Sequence, residues 1–140
     1  VTFRMDRRIV PEERPEAVEA ELRAVIAAAA AAFPQAGVAV RRILLATPLT
    51  PTPAARGLTE LLCAHATREM GEPVTAGGVP LYTDARHYAA AGVPIVLYGA
   101  GPRSIEEANA HRADERVPLE ELYRATTVVA LTLADFLATP

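Results

Sequence analysis

The chain has one cysteine in 140 residues, Cys63. A lone thiol closes no intrachain disulfide, so a reducing compartment is expected, the cytoplasm. Cys63 sits among apolar residues in a helical stretch and reads as a small buried hydrophobe. Nor is there an apolar run of about 20 residues, the length a membrane-spanning helix needs. The alanine run Ala27–Ala32 is too short and too weakly apolar, so a soluble chain with no membrane partner is expected. There is no basic cluster either. The net charge is −3 and the arginines are interspersed with Glu and Asp, which excludes the phosphate-binding stripe of a nucleic-acid partner. No secretory leader is expected, because Arg4, Asp6, Arg7 and Arg8 fall within a strand-like opening. The sequence starts without a methionine, and Val1-Thr2-Phe3 enters strand chemistry at once, so a fragment of a longer protein is expected.

About half the residues are apolar, 51 %, enough for a core in one domain or two small pieces. Val1 to Val10 alternates Phe3 and Met5 with Arg4 and Asp6, the period of a half-buried strand, and Pro11 ends it. Val18, Leu22, Val25 and Ile26 then recur at helical spacing, with Pro15 in the first turn and Phe33-Pro34 and Gly37 as the stop. Val38 to Ala46 reads as a second strand. The connector Thr47-Pro48-Leu49-Thr50-Pro51-Thr52-Pro53 is spaced by prolines and suits neither a helix interior nor a central strand. The expected division is therefore 1–47, a linker over 48–53, and 54–140.

In the last part, Leu58, Leu61, Leu62 and Ala66 mark a helix from Ala54 to Met70 that Gly71 ends. A short helix is expected from Ala85 to Ala91, closed by Gly92. Pro94 to Tyr98 is a continuous apolar run, as in a parallel strand covered on both faces. Leu119 to Leu137 reads as a closing helix with Leu122, Ala125, Thr126, Val129 and Leu133 as its inner stripe. The fold class expected is α/β, with too little sheet to stand alone, so its partner strands come from elsewhere.

Gly99-Ala100-Gly101 after a strand does not make a dinucleotide loop, since the third glycine is absent and Pro102 follows. Ser104 and Cys63 lie in no nucleophile elbow. Among the histidines, His65 has no second histidine at i+4 and reads as a surface or boundary residue. His87, beside Arg86, reads as structural or as part of a pocket wall. His111 lies in a polar loop past the carboxyl end of the apolar run, where open α/β sheets place ligands and where an imidazole suits zinc.

The order Thr83-Asp84-Ala85-Arg86, then Gly92-Val93-Pro94-Ile95-Val96-Leu97-Tyr98-Gly99-Ala100-Gly101, then Ala110-His111-Arg112-Ala113-Asp114-Glu115-Arg116-Val117 and a closing helix resembles the carboxyl-terminal end of the co-catalytic zinc aminoacylase and deacylase family. That family includes acetylornithine deacetylase, succinyl-diaminopimelate desuccinylase and aminoacylase. Phe3-Arg4-Met5-Asp6-Arg7-Arg8 with Pro11-Glu12-Glu13 resembles a strand of its lid, or dimerisation, domain.

The resemblance implies part of a ferredoxin-like lid (strand-helix-strand), followed by the carboxyl-terminal portion of a zinc-peptidase-type α/β catalytic domain. It implies a metal-dependent amidohydrolase acting on an N-acyl amino acid or small peptide. Two zinc ions are implied, with cobalt or manganese as alternatives, and a homodimer formed through the lid. His111 matches the last metal ligand. Arg86 and Asp84 match the motif before the penultimate strand, Arg86 being suited to a substrate carboxylate. Gly99 and Gly101 match the pocket floor, and Arg4 matches a lid arginine that reaches substrate.

Two departures accompany the resemblance. The first histidine, bridging aspartate, general base and remaining carboxylate ligand lie upstream of the lid in the family, so a missing amino-terminal segment is implied and the chain alone is expected to be inactive. Leu81-Tyr82 stands where the family often has Gly-Gly or Gly-Thr. The competing reading is a non-catalytic dimerisation or interaction module, in which Asp84 caps the helix at Ala85, Arg86 pairs with Glu115 and His111 is a solvated loop residue.

Overall fold

The computed structural model describes residues 1–79, 81–102 and 104–138. Residues 139 and 140, within the expected 54–140 part, lie outside the described residues, as do 80 and 103. Five helices follow in order: α1 (Pro15–Ala31), α2 (Arg56–Met70), α3 (Ala85–Ala90), α4 (Ile105–Ala108) and α5 (Leu119–Ala138). The chain divides into two compact units, one of Val1–Thr50 with Pro80–Arg86, the other of Pro51–Val79 with His87–Pro140.

The α/β expectation is overturned, because the described residues contain no strand and no sheet. The three stretches expected as strands, 1–10, 38–46 and 94–98, carry no ladder. Among the described residues, every backbone hydrogen bond outside the helices closes a local turn, cap or loop, and none joins two of these stretches. Alternating or continuous apolar residues prepare a segment for a sheet, but a strand exists only where a neighbour takes its N–H and C=O groups. The strand-helix-strand lid therefore reduces to one helix between two non-strand segments.

In the first unit, Pro15 occupies the opening turn of α1 and Glu16 complements its positive end. After Ala31 the chain leaves the helix through Phe33, enters a short 3-10 turn at Pro34–Ala36, and passes Gly37 at φ 60°. Residues 1–50 have no buried side chain, and Phe3, Met5, Val25, Ile43 and Leu44 are exposed. What ties this unit is charge. Arg7 grips Glu13 with two hydrogen bonds of 2.7 and 2.6 Å, and the N–H of Val10 donates to the same carboxylate at 3.0 Å. Glu19 receives Arg42 at 2.6 Å and Arg23 at 2.8 Å.

The Arg7 hydrogen bonds, and after them the Val10 N–H, hold the Glu13 carboxyl below its ordinary range. A carboxylate depressed in the folded state stabilises it above the unfolded value of about 4.3, and that contribution fades as the pH falls through the folded value. Arg7→Ala is accordingly expected to move the Glu13 midpoint up toward about 4.3, read from its carboxyl carbon shift in an NMR titration. An unmoved midpoint would show that the grip is absent in solution.

The second unit is built on α2 against α5. Leu62 and Ala66 of α2 meet Val128 of α5, with Val74, Val96 and Tyr98 packed around them. Ala66 and Val128 are both fully buried, and the alanine methyl lets the two helices approach closely. Gly71 ends α2 at φ 72° with its N–H on the Thr67 carbonyl, and Thr67 Oγ1 then accepts the N–H of Val74, which turns Val74 into the core. The stretch 94–98 is covered on one face only: Val96 and Tyr98 reach the core while Leu97 stays exposed. Burial raises the Tyr98 hydroxyl above its usual range, helped by the negative charges of Glu121 and Glu69.

The inner face of α5 differs from the expected stripe. Ala125, Val128 and Thr132 are buried, whereas Leu122, Val129 and Leu133 are 44, 40 and 48 % exposed. Those three, with Thr126, instead wall a groove of about 410 Å³ that Tyr98, Gly99 and Ala100 complete. No helix of the described residues is long and apolar enough to cross a membrane.

Candidate functional site

The segment before α3 is organised by Thr83 rather than by Asp84. Thr83 Oγ1 accepts the N–H of Ala85 at 3.2 Å, a Ser/Thr turn that starts the helix. Asp84, expected as the cap in the competing reading, points its carboxylate outward with 80 % of the side chain exposed. Arg86 sits one position into the helix and turns back over the same turn. Its Nη1 donates to the Thr83 carbonyl at 3.2 Å and lies 3.9 Å from Asp84 Oδ1, too far for a hydrogen bond. Its guanidinium carbon stands 4.2 Å from the centre of the Tyr82 ring, a cation–π stack. The Arg86 side chain is only 9 % exposed, so this cation is anchored and partly desolvated. His87 beside it is exposed.

His111 belongs to a second, differently built element in the other unit. Ser104 caps α4, its Oγ accepting the Glu107 N–H at 3.0 Å. The helix ends after one turn, where Asn109 adopts φ 56°, and His111 adopts φ 63° two residues later. Two non-glycine residues in the left-handed region within three positions are uncommon and need support from their surroundings. Arg112 supplies some of it by donating to Asn109 Oδ1 at 3.1 Å. Glu115 supplies more, since its Oε2 accepts the backbone N–H of His111 at 3.1 Å. The Arg116 N–H closes the loop on the Ala108 carbonyl at 3.2 Å. The imidazole itself is exposed.

The remaining expected site residues are placed as follows. Gly99 and the adjoining Ala100 line the groove along α5. A Cβ at Gly99 would meet only the Gly101 nitrogen at 3.9 Å, and one at Gly101 would meet nothing within 4 Å, so crowding does not require either glycine. Arg4 is exposed and forms no hydrogen bond or ion pair among the described residues.

His65 corrects the reading of a surface or boundary histidine, being 6 % exposed between α2 and α5. Its Nε2 lies 2.8 Å from Asp135 Oδ2, and its Nδ1 lies 3.3 Å from Arg68 Nη1. A guanidinium only donates, so Nδ1 accepts from Arg68 and the Nε2–H donates to Asp135. Neither ring nitrogen then has a lone pair left for a metal. Among the described residues no three His, Cys, Asp or Glu side chains converge on a point that could hold an ion. The donor set here does not make a metal centre.

Sequence reasoning passed over three participants. Tyr82 was visible only as an aromatic where glycine was expected. Glu115, four residues after His111, entered only the competing reading, as a partner of Arg86. The His65–Asp135 contact spans 70 positions and left no local signal.

These residues occur in a hydrolase, of a class that generally depends on metal ions. The chain belongs to peptidase family M20/M25/M40, whose sequence model matches residues 8–135. No curated protein and no solved structure matches it.

Proposed function

We propose that this chain is part of a metal-dependent amidohydrolase that cleaves the amide of an N-acyl amino acid or a small peptide, of deacetylase, desuccinylase or peptidase type. Membership of the peptidase family supports hydrolysis. The observation that carries the finer reading is the His111 loop: an exposed imidazole kept at φ 63° by the Glu115 carboxylate, a conformation that persists where a side chain must be aimed.

In this reading His111 is the one metal donor of these 140 residues. The further ligands and the general base lie on a polypeptide segment outside them, and the metal is zinc, two ions, with cobalt or manganese as alternatives. Arg86 takes the substrate carboxylate through its planar fork, with Asp84 beside it. Arg4, in the same unit as Arg86, is a second cation for that carboxylate. The exposed apolar residues of that unit, Phe3, Met5, Ile43 and Leu44 among them, support a homodimer there. The compartment is the cytoplasm, where Cys63 stays reduced.

The test is hydrolysis of N-acetyl amino acids and of their carboxamide counterparts by the complete metal-loaded protein. Turnover is expected for the free acids and to be at least about tenfold lower for the carboxamides, the scale of one lost charge-assisted contact. Absence of turnover on every N-acyl amino acid and dipeptide tried would overturn the assignment.

A further inference from the structure

Arg86 carries more restraint than a surface cation needs. Its side chain is 9 % exposed, one face of its guanidinium is stacked on the Tyr82 ring at 4.2 Å, and Nη1 is bound to the Thr83 carbonyl at 3.2 Å. Nε and Nη2 make no hydrogen bond among the described residues. These two atoms form the side of the guanidinium that matches the two oxygens of a carboxylate. The nearest anion, Asp84 Oδ1, is 3.9 Å from Nη1 on the other side, and its side chain is 80 % exposed, so solvent screens it. A long flexible side chain is thus fixed in one plane with its recognition edge unused. Tyr82 is half exposed, so its ring contributes a wall rather than a core contact.

We propose that Tyr82 is a positioning residue which sets the plane of Arg86 and so gives this site its preference for a small free carboxylate, such as that of an N-acyl amino acid, over the neutral carboxamide. The proposal rests on the reading of Arg86 as the carboxylate clamp. The ring face does the work and the phenolic hydroxyl does not, because the attraction comes from the quadrupole of the π-system and from stacking. Phenylalanine at position 82 therefore preserves the function, and leucine, apolar but without a π-face, does not. Holding the fork in advance removes the rotamer entropy that an unrestrained arginine loses on binding.

The experiment uses the full 140-residue chain with ¹⁵N-labelled arginine, titrated with N-acetylglycine and separately with N-acetylglycinamide. In the free chain the Arg86 Nε–Hε signal is expected to be displaced by the Tyr82 ring current. It is expected to stay in place in Tyr82→Phe and to move toward the free-arginine position in Tyr82→Leu. N-acetylglycine is expected to shift this signal and N-acetylglycinamide to leave it. Tyr82→Leu should weaken acid binding by about five- to tenfold, Tyr82→Phe should stay within about twofold of the parent, and Arg86→Met should abolish binding. Backbone amide spectra of each variant report whether the turn still folds.

If Arg86→Met abolishes binding while Tyr82→Leu binds like the parent, the role of Tyr82 is overturned and the clamp stands. If Arg86→Met binds as well as the parent, or the parent does not bind at tens of millimolar, the clamp falls and the role of Tyr82 with it.

Discussion

Val128→Asp should leave the second unit unfolded at pH 7, with loss of the cooperative thermal transition seen by circular dichroism. Val128 is fully buried in a cluster with Leu62 and Ala66, an apolar setting for a carboxylate. To stay folded the new side chain must be protonated at pH 7, about three units above its ordinary value, which costs about 4 kcal/mol. The valine methyls lost from the core add about 2 kcal/mol. Domain stabilities of about 5–15 kcal/mol leave little after that, the more so for a small unit. The penalty has a pH signature with a definite sign. Because the folded value of the new carboxyl is raised, the variant regains stability as the pH falls from 7 toward 4, where the unfolded state is protonated too. Leu133→Asp, on the groove side of the same helix, should cost under about 1 kcal/mol, since Leu133 is already 48 % exposed. If the two variants melt alike, α2 does not pack on the Ala125, Val128 and Thr132 face.

That contrast also shows why the face of α5 was not legible in advance. The segment Leu119–Ala138 is apolar on more than one side, so Leu122, Val129 and Leu133 compete with Val128 and Thr132 for the inner position at the same helical period. The leucines look like the better core by size. The small Ala66 on α2 decides otherwise, because a close helix contact selects the short side chains of α5 and turns the long ones outward. Helix existence and ends were plain by comparison. Pro15 opens α1, and Gly71 at φ 72° stops α2, both through conformational limits written in single residues.

The strand expectation failed for a related reason. Alternation at Phe3 and Met5, or continuity from Pro94 to Tyr98, reports what a segment would bury in a sheet and not whether a neighbour is present to pair with it. Within the candidate site, residue types and order pointed to Arg86 and His111, but contacts at short range set their states. The stack on Tyr82 and the Glu115 bond to a backbone N–H involve positions whose side chains have many other possible uses. His65 was the least legible, since its partner Asp135 lies in a helix 70 residues away.

His111→Gly should separate structure from function. The wild-type backbone holds a histidine at φ 63°, and an L-residue with a Cβ pays about 1–2 kcal/mol in that region. Glycine removes this strain but enlarges the freedom of the unfolded chain, which takes back about 0.5–1 kcal/mol. The folded chain is therefore expected to be as stable as the parent or up to about 1.5 kcal/mol more stable by denaturant unfolding. The Glu115 carboxylate still receives the backbone N–H at position 111, since that bond does not involve the imidazole. Activity goes the other way. In the complete metal-loaded protein the variant should lose more than the roughly 10–100-fold that removal of an outer-shell partner costs, because under the proposed function a donor itself is gone. His111→Ala, which keeps the Cβ and the strain, should lose the same activity with no gain in stability. Turnover retained in both variants would remove His111 from the site. Turnover lost together with stability in His111→Gly would make it a structural residue of the loop.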